Sequence, residues 1–347
     1  MDTIKPNEIK RYSCGIYGGS FNPLHLGHVR CMLTAANRCR RLIIPIFHCV
    51  NGGEIDVRLR YRWVYEAVKH LPHAEIFVLE YDADSKAAYT DEMWLSDAAK
   101  VKAYAKEPID AVFCGSDYDL NNPFARCYPG ADMVILPRDE ISSTAIRNDP
   151  MGCWDMLPVF VRPYYVKKVL LIGTESTGKS TLAANLALYY NTCYLEEVGR
   201  DISARSGTDQ WMIPGDFTDI LLQHKAKELE LAKTANRVLF EDTDCLTTLF
   251  YLNFLGGGDT EANMKLANAI AGLNKYDLIL FLQPDVAFVQ DGDRSEIIAA
   301  DRMRYSNELN AFYKARGFNA VPVSGSYESR YRQAIALTDA LIKGEKA

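Results

Sequence analysis

The chain has no apolar run near the ~18–20 residues that cross a bilayer, so insertion into a membrane is not expected of it. It also lacks a basic excess. Its 39 Lys+Arg stand against 45 Asp+Glu, a net charge of −6, whereas a chain that clasps nucleic acid usually shows a basic balance or a basic face. Nucleic acid is therefore not expected as a partner. The nine cysteines form no C-x-x-C and no zinc-ligand spacing, and they are odd in number. They read as reduced, mostly core residues of a cytoplasmic protein. No repeat with a period of 20–50 residues is present, and the polar stretch Met1–Arg11 does not read as a secretory leader. What is present is ordinary: 48% apolar and 24% charged residues over 347 positions. That composition fits a globular chain long enough for two domains. Two small basic clusters, Arg38/Arg40/Arg41 and Arg58/Arg60/Arg62, admit two readings, solvated helix faces or a site for an anion.

Two strand–glycine turn–helix units stand about 155 residues apart, at Cys14–Gly19 and at Val169–Gly173. After each, β-branched runs alternate with longer amphipathic stretches, which predicts an α/β architecture of two doubly wound parallel-sheet domains. The first, Rossmann-like half has strand candidates at 41–47, 75–80, 111–114 and 133–137, with helices at 56–71 and 91–106. The second has strands at 238–241, 278–282 and 319–323, with helices at 179–190, 218–234, 301–316 and 327–343. Pro150, Pro158 and Pro163 punctuate the region between. The expected division is residues 1–150, a packed linker 151–166 carrying Trp154, Phe160, Tyr164 and Tyr165, and residues 167–347.

In the first half, Gly18-Gly19-Ser20-Phe21-Asn22-Pro23-Leu24-His25-Leu26-Gly27-His28 carries the chemistry. The glycines permit a tight turn and close backbone approach to a phosphate. His25 and His28, three apart at a helix start, point the same way and can donate to phosphoryl oxygens beside a positive helix end. A metal pair or two satisfied histidines are the alternatives. A second stretch, Ile141-Ser142-Ser143-Thr144-Ala145-Ile146-Arg147, reads as another helix N-terminus with hydroxyl caps and a cation one turn on. The two together resemble the nucleotidylyltransferase superfamily, with its H-x-G-H and I-S-S-T-x-x-R motifs. The resemblance implies ATP contacts by Gly18, Gly19, Ser20, Phe21, His25, His28, Ser142, Ser143, Thr144 and Arg147. It also matches Gly115-Ser116-Asp117 to that family's ribose-binding G-x-D turn, so Gly115 and Asp117 are expected at ATP. Within the superfamily the chain resembles the nicotinamide mononucleotide (NMN) adenylyltransferases, and Trp94 either stacks on a pyridinium ring or fills the core. An NMN phosphate attacking the ATP α-phosphorus is already anionic and needs no general base. His25, His28, Ser143 and Arg147 would align it and neutralise the growing charge, with Mg²⁺ on the ATP phosphates.

The second half contains Gly173-Thr174-Glu175-Ser176-Thr177-Gly178-Lys179-Ser180, a complete G-x-x-x-x-G-K-[ST] between a β run and a helix. Backbone amides of Gly173, Glu175, Ser176, Thr177 and Gly178, extending to Thr181, would cradle phosphates. Lys179 would reach the β/γ oxygens and Ser180 would bind Mg²⁺. Asp242 or Asp244, ending the strand 238–241, is the second Mg²⁺ ligand, with Asp242 favoured. Glu196, Glu197, Arg200 and Asp201 follow the preceding strand and could hold an acceptor sugar or be solvated loop charges. Asp291-Gly292-Asp293-Arg294-Ser295 reads as a lid whose Arg294 supplies positive charge to the phosphates.

These features, with Glu197-Val198-Gly199-Arg200 and Trp154…Pro158…Val161-Arg162-Pro163, resemble the ribosylnicotinamide kinase half of NadR-type bifunctional enzymes, from about residue 12 onward. The resemblance implies two ATP-dependent reactions, ribosylnicotinamide to NMN and NMN to NAD, with small molecules as partners and room for a homo-oligomer. It implies an aspartate base near the sugar 5′-hydroxyl, Asp201 or Asp244. The first strand starts about ten residues in, leaving no room for the helix-turn-helix repressor domain of some family members, so transcriptional regulation is not expected. Two alternatives keep the motifs. One is a pantetheine or flavin adenylyltransferase fused to another nucleoside kinase; the other is a nucleotide-sensing module with one degenerate site.

Overall fold

Continuous apolar runs between glycine turns can be buried on both faces only if helices cover both sides of a sheet, and both halves of the chain do this. The computed structural model describes residues 10–52, 54–81, 89–115, 126–137, 141–206, 211–255, 260–290, 294 and 296–345. Internal packing divides the chain into two units, Met1–Val161 and Arg162–Ala347.

In the first unit, β1 (Tyr12–Ile16), β2 (Cys39–Cys49), β3 (Ala74–Tyr81), β4 (Ala111–Gly115) and β5 (Asp132–Leu136) form a wholly parallel sheet ordered β3-β2-β1-β4-β5. Helices α1 (Leu26–Ala36), α2 (Val57–Val68), α3 (Asp91–Ala105) and α4 (Ser143–Asn148) accompany it. Cys14, Ile16, Ile43, Leu79 and Val112 pack against Ala98 and Val101 of α3. Each large aliphatic buried this way contributes roughly 1.5–3 kcal/mol. The strand order reverses between β1 and β4, so a crevice opens where the chain leaves β1, the usual ligand position in such sheets.

The second unit repeats the plan with β6 (Lys167–Ile172), β7 (Tyr194–Leu195), β8 (Val238–Asp242), β9 (Leu278–Leu282) and β10 (Val321–Val323), ordered β10-β9-β6-β8-β7 and again parallel. Its helices are α5 (Lys179–Tyr189), α6 (Val198–Ser206), α7 (Pro214–Leu231), α8 (Cys245–Leu255), α9 (Glu261–Leu273), α10 (Glu296–Ala300), α11 (Arg302–Lys314) and α12 (Tyr327–Lys343). Val169, Leu171, Phe240 and Leu280 face α5 and α12. Leu170, Ile172, Ile279 and Phe281 face the opposite core, built on α7, α8 and α11. That alternation along β6 is the two-residue period of a strand covered on both sides.

Helices α6, α8 and α9 have no counterpart among the elements read from sequence. The segment of α8 is apolar nearly all round, which erases the helical period that would betray it. No disulfide joins any of the nine cysteines, and no described helix is long and apolar enough to cross a membrane.

Candidate active sites

At the end of β1 the chain does not turn away at once. Gly19 N–H donates to Pro45 O at 3.2 Å and Gly19 O accepts from Phe47 N–H at 3.0 Å, which carries the loop along β2. The Gly19 amide is therefore committed to the sheet. What requires glycine here is packing: a Cβ on Gly18 would lie 2.7 Å from the Phe47 ring, and one on Gly19 would lie 2.9 Å from the Phe21 ring. Phe21 itself is fully buried and stands edge-on to His28 at 5.2 Å. It backs the histidine from within the core.

His25 caps α1 and His28 is its third residue; both are buried, with rings stacked at 3.7 Å. The His25 amide donates to His28 Nδ1 at 3.4 Å, so the His28 ring proton sits on Nε2 and is a donor. The second motif closes on the first. Ser142 Oγ caps α4 by accepting from Ala145 N–H at 3.1 Å. Ser143 Oγ donates to Pro23 O at 3.0 Å, Arg147 donates to Asn22 O, and its other nitrogen reaches Thr144 Oγ1 at 3.0 Å. Two segments about 120 positions apart thus meet on the backbone of Asn22–Pro23.

Arg60, one of the clustered arginines, is fully buried and is neither a solvated residue nor an anion site. It donates to Ile55 O, Phe47 O and Ser20 O and pairs with Glu54 at 2.9 Å, bracing the loop from below. Arg41 is likewise paired, with Glu75 and Glu107. Trp94 is half-buried against the core and edge-on to Tyr89 at 4.8 Å. Gly115 ends β4; Ser116 and Asp117 lie outside the described residues.

In the second unit the P-loop follows β6. Gly173 is required because a Cβ there would sit 2.8 Å from Leu282 O, and Gly178 takes φ +86°. Lys179 is buried and its ammonium donates to Thr174 O at 3.2 Å, folded over the loop. Arg294 donates to Ser176 Oγ at 2.8 Å, so the expected lid arginine does reach the loop; Asp291 and Ser295 lie outside the described residues. Two further arginines had no signal in the sequence. Arg302 donates to Ser176 O at 3.1 Å, and buried Arg330 donates to Thr177 O at 2.6 Å and to Gln283 O at 2.7 Å. The P-loop is thus held by three guanidinium groups from the C-terminal third of the chain.

Beside it opens a cleft of about 200 Å³. Residues 175–181, Glu197, Arg200 and Arg294 form its charged end. Met212, Phe217, Ile220 and Tyr251 form an apolar wall, with His224 and Thr247 between. His224 Nε2 donates to Thr243 O at 3.1 Å, and burial holds its pKa below the usual imidazole range. The apolar wall escaped the sequence reading, since scattered hydrophobics carry no chemical mark.

The acidic residues separate sharply. Asp242 is fully buried; burial, then the Glu197 charge, push its carboxyl up to about 6, with Lys179 opposing. Ser180 lies beside it, yet no hydrogen bond of ordinary geometry reaches either oxygen among the described residues. Asp244 is buried and enclosed by hydrogen bonds. Its Oδ1 caps α8, accepting from Leu246 and Thr247 amides at 3.0 and 3.2 Å, and the hydroxyls of Tyr276 and Tyr313 close over it. Asp201 is exposed on α6 and is not among the described residues of the cleft wall. Glu197 lines the cleft, and its charge acts on Asp242.

Glu241 points to the opposite side of β8 from Asp242. Burial, followed by the neighbouring Glu228 charge, raises its pKa to about 8. The folded chain thus binds this proton more tightly than the unfolded chain, so the stability it contributes is complete below pH ~4.5 and is lost as pH rises to about 8. Glu241→Gln is expected to flatten that alkaline decline by roughly 4 kcal/mol, read as thermal unfolding midpoints from pH 5 to 9. An unchanged slope would place the proton elsewhere.

Comparison with known proteins follows the same division. The model of the AAA domain matches residues 168–330. The trifunctional NAD biosynthesis/regulator protein NadR of Salmonella typhimurium is 26% identical over 348 residues, covering 94% of this chain and 83% of that protein. Two crystal structures of NadR protein resemble the fold. One, in complex with NR, has a TM-score of 0.78 at 19% identity, covering 96% of this chain and 98% of its own. The other, in complex with NAD and AMP-PNP, has a TM-score of 0.75 at 20% identity, covering 97% and 98%.

Proposed function

We propose that this chain, which belongs to the NadR-type family, joins two ATP-dependent reactions of NAD salvage: ribosylnicotinamide and ATP give NMN and ADP, then NMN and a second ATP give NAD and pyrophosphate. The observation that carries the reading is two different constellations suited to phosphate, one in each unit. One is a P-loop cleft with an apolar acceptor wall. The other is a histidine pair tied to a Ser–Arg helix end.

In the P-loop unit, Lys179 and Arg294 would neutralise charge on the transferred phosphoryl group, and Glu197 would take the proton of the attacking 5′-hydroxyl. Asp242 and Ser180 are suited to hold Mg²⁺: a buried carboxylate with no ordinary hydrogen bond, next to the loop hydroxyl, is what a hard cation needs. The ion would supply charge neutralisation on the ATP phosphates. In the first unit the NMN phosphate oxygen displaces pyrophosphate at the α-phosphorus. The His28 Nε2–H, His25 and Arg147 would donate to the oxygens on which charge accumulates. A reducing, cytoplasmic setting fits nine cysteines with no disulfide among them. The Asn22–Pro23 grip by Ser143 and Arg147 supports a rigid first site; the Met212/Phe217/Ile220 wall supports an apolar base in the second.

Purified protein given ATP, Mg²⁺ and ribosylnicotinamide is expected to release ADP, pyrophosphate and NAD in equal amounts. Formation of neither ADP nor NAD, with another nucleoside phosphorylated instead, would remove the assignment of substrate.

A further inference from the structure

Thr247 sits in the first turn of α8, 3% exposed, in the wall of the kinase cleft. Behind it three side chains run into the core. Thr247 Oγ1 lies 2.8 Å from the Tyr313 hydroxyl, and that hydroxyl is hydrogen-bonded to Asp244 Oδ1.

Counting hydrogens fixes the direction of each bond. Asp244 Oδ1 already accepts from two backbone amides, so it is an acceptor toward Tyr313 as well. Tyr313 has a single hydroxyl hydrogen, and that hydrogen goes to Asp244. Toward Thr247 the phenol can then only accept. The one hydroxyl hydrogen of Thr247 is thereby drawn into the core, and its oxygen is left with lone pairs alone. The far end is anchored too: Tyr276 donates to Asp244 Oδ2 at 3.1 Å and accepts from Asn274 Nδ2 at 2.9 Å. The hydroxyl's polarity is set by buried groups behind the cleft wall, and a ligand cannot reverse it without breaking a buried bond.

We propose that Thr247 is a specificity-determining residue of the phosphoryl-acceptor site. It is an oxygen that can only accept, so it takes a hydrogen-bond donor of the acceptor nucleoside and disfavours a carbonyl or carboxylate oxygen in the same place. Tyr313 and Asp244 are positioning residues that act through it. This rests on reading the cleft as a nucleoside kinase site. The donor is a ribose hydroxyl or a carboxamide N–H, and the two are told apart below.

The experiment is steady-state phosphorylation by the full chain of ribosylnicotinamide, its 2′-deoxy and 3′-deoxy analogues, and nicotinic acid riboside, which lacks the carboxamide donor. Thr247→Val is expected to raise the nucleoside KM on the order of 10- to 100-fold, with the ATP KM unchanged, and Thr247→Ser to restore it. The valine penalty should vanish for the one analogue that lacks the donor, which identifies it. Tyr313→Phe frees the threonine hydroxyl to rotate, so the preference for ribosylnicotinamide over that analogue should narrow at least about fivefold. Melting temperature and adenylyl transfer report whether each variant is folded. An unchanged nucleoside KM in Thr247→Val, or a penalty equal for every analogue, overturns the proposal. Failure of the wild-type chain to phosphorylate ribosylnicotinamide speaks against the function instead, and the series is then run on whichever nucleoside it does phosphorylate.

Discussion

Lys179→Ala is expected to lower riboside phosphorylation by on the order of 10³-fold or more while NMN adenylylation proceeds at its full rate. The lysine is buried and its ammonium is already folded over the loop on Thr174 O. No reorganisation is needed for it to meet a phosphate, and its charge acts where water is scarce. Substituting it removes a preorganised cation; the neighbouring Arg294 and Arg200 are held on Ser176 and Ser180 instead. Lys179→Met keeps the buried stem and separates lost charge from lost packing. Rates with each substrate supplied alone, ribosylnicotinamide for ADP and NMN for pyrophosphate, make the comparison. Equal loss of both activities with folding intact would contradict independent sites.

The mirror experiment is His28→Ala, expected to reduce NAD formation from NMN by ~10²–10³-fold, the usual cost of one transition-state donor, and to spare phosphorylation of the riboside. The imidazole is fixed on three sides. His25 stacks on one face at 3.7 Å, Phe21 meets it edge-on, and the His25 amide donates to its Nδ1. A ring held this firmly points one N–H in one direction, which is worth more to a developing charge than a mobile donor. His28→Gln, which can still donate, should retain more activity than alanine. A fall in adenylylation matched by a fall in thermal stability, with no difference between the two substitutions, would assign the residue to packing.

The motifs were legible because phosphate chemistry demands particular residues at particular short spacings. Gly173 to Ser180 and His25 to His28 lie within single turns, so neighbours in sequence are neighbours in space. The strands of both sheets were legible through their apolar runs. Glycine at positions 18 and 19 was legible, but its reason was not, because the Phe47 and Phe21 rings that require it arrive from β2 and from the turn itself. The surroundings of the acidic residues were not legible, for a related cause. Two residues apart on a continuing strand, Asp242 and Asp244 would share a face, but the strand ends at Asp242 and the turn after it sends Asp244 into a helix cap. Thr243 at φ +67° is where that divergence occurs.

From the sequence alone came the parallel α/β architecture and the two glycine turns that follow the first strand of each sheet. These depend on local periodicity and on the narrow choice of groups that suit a polyanion. Tertiary structure decided which carboxylate faces the cleft, which arginines brace the P-loop, and which direction the Thr247 hydroxyl points. Each of those depends on side chains brought together from dozens to more than a hundred positions apart, Tyr313 with Asp244 and Arg330 with Thr177 among them. Hydrogen-bond direction and burial belong to such assembled groups, and no window along the chain contains them.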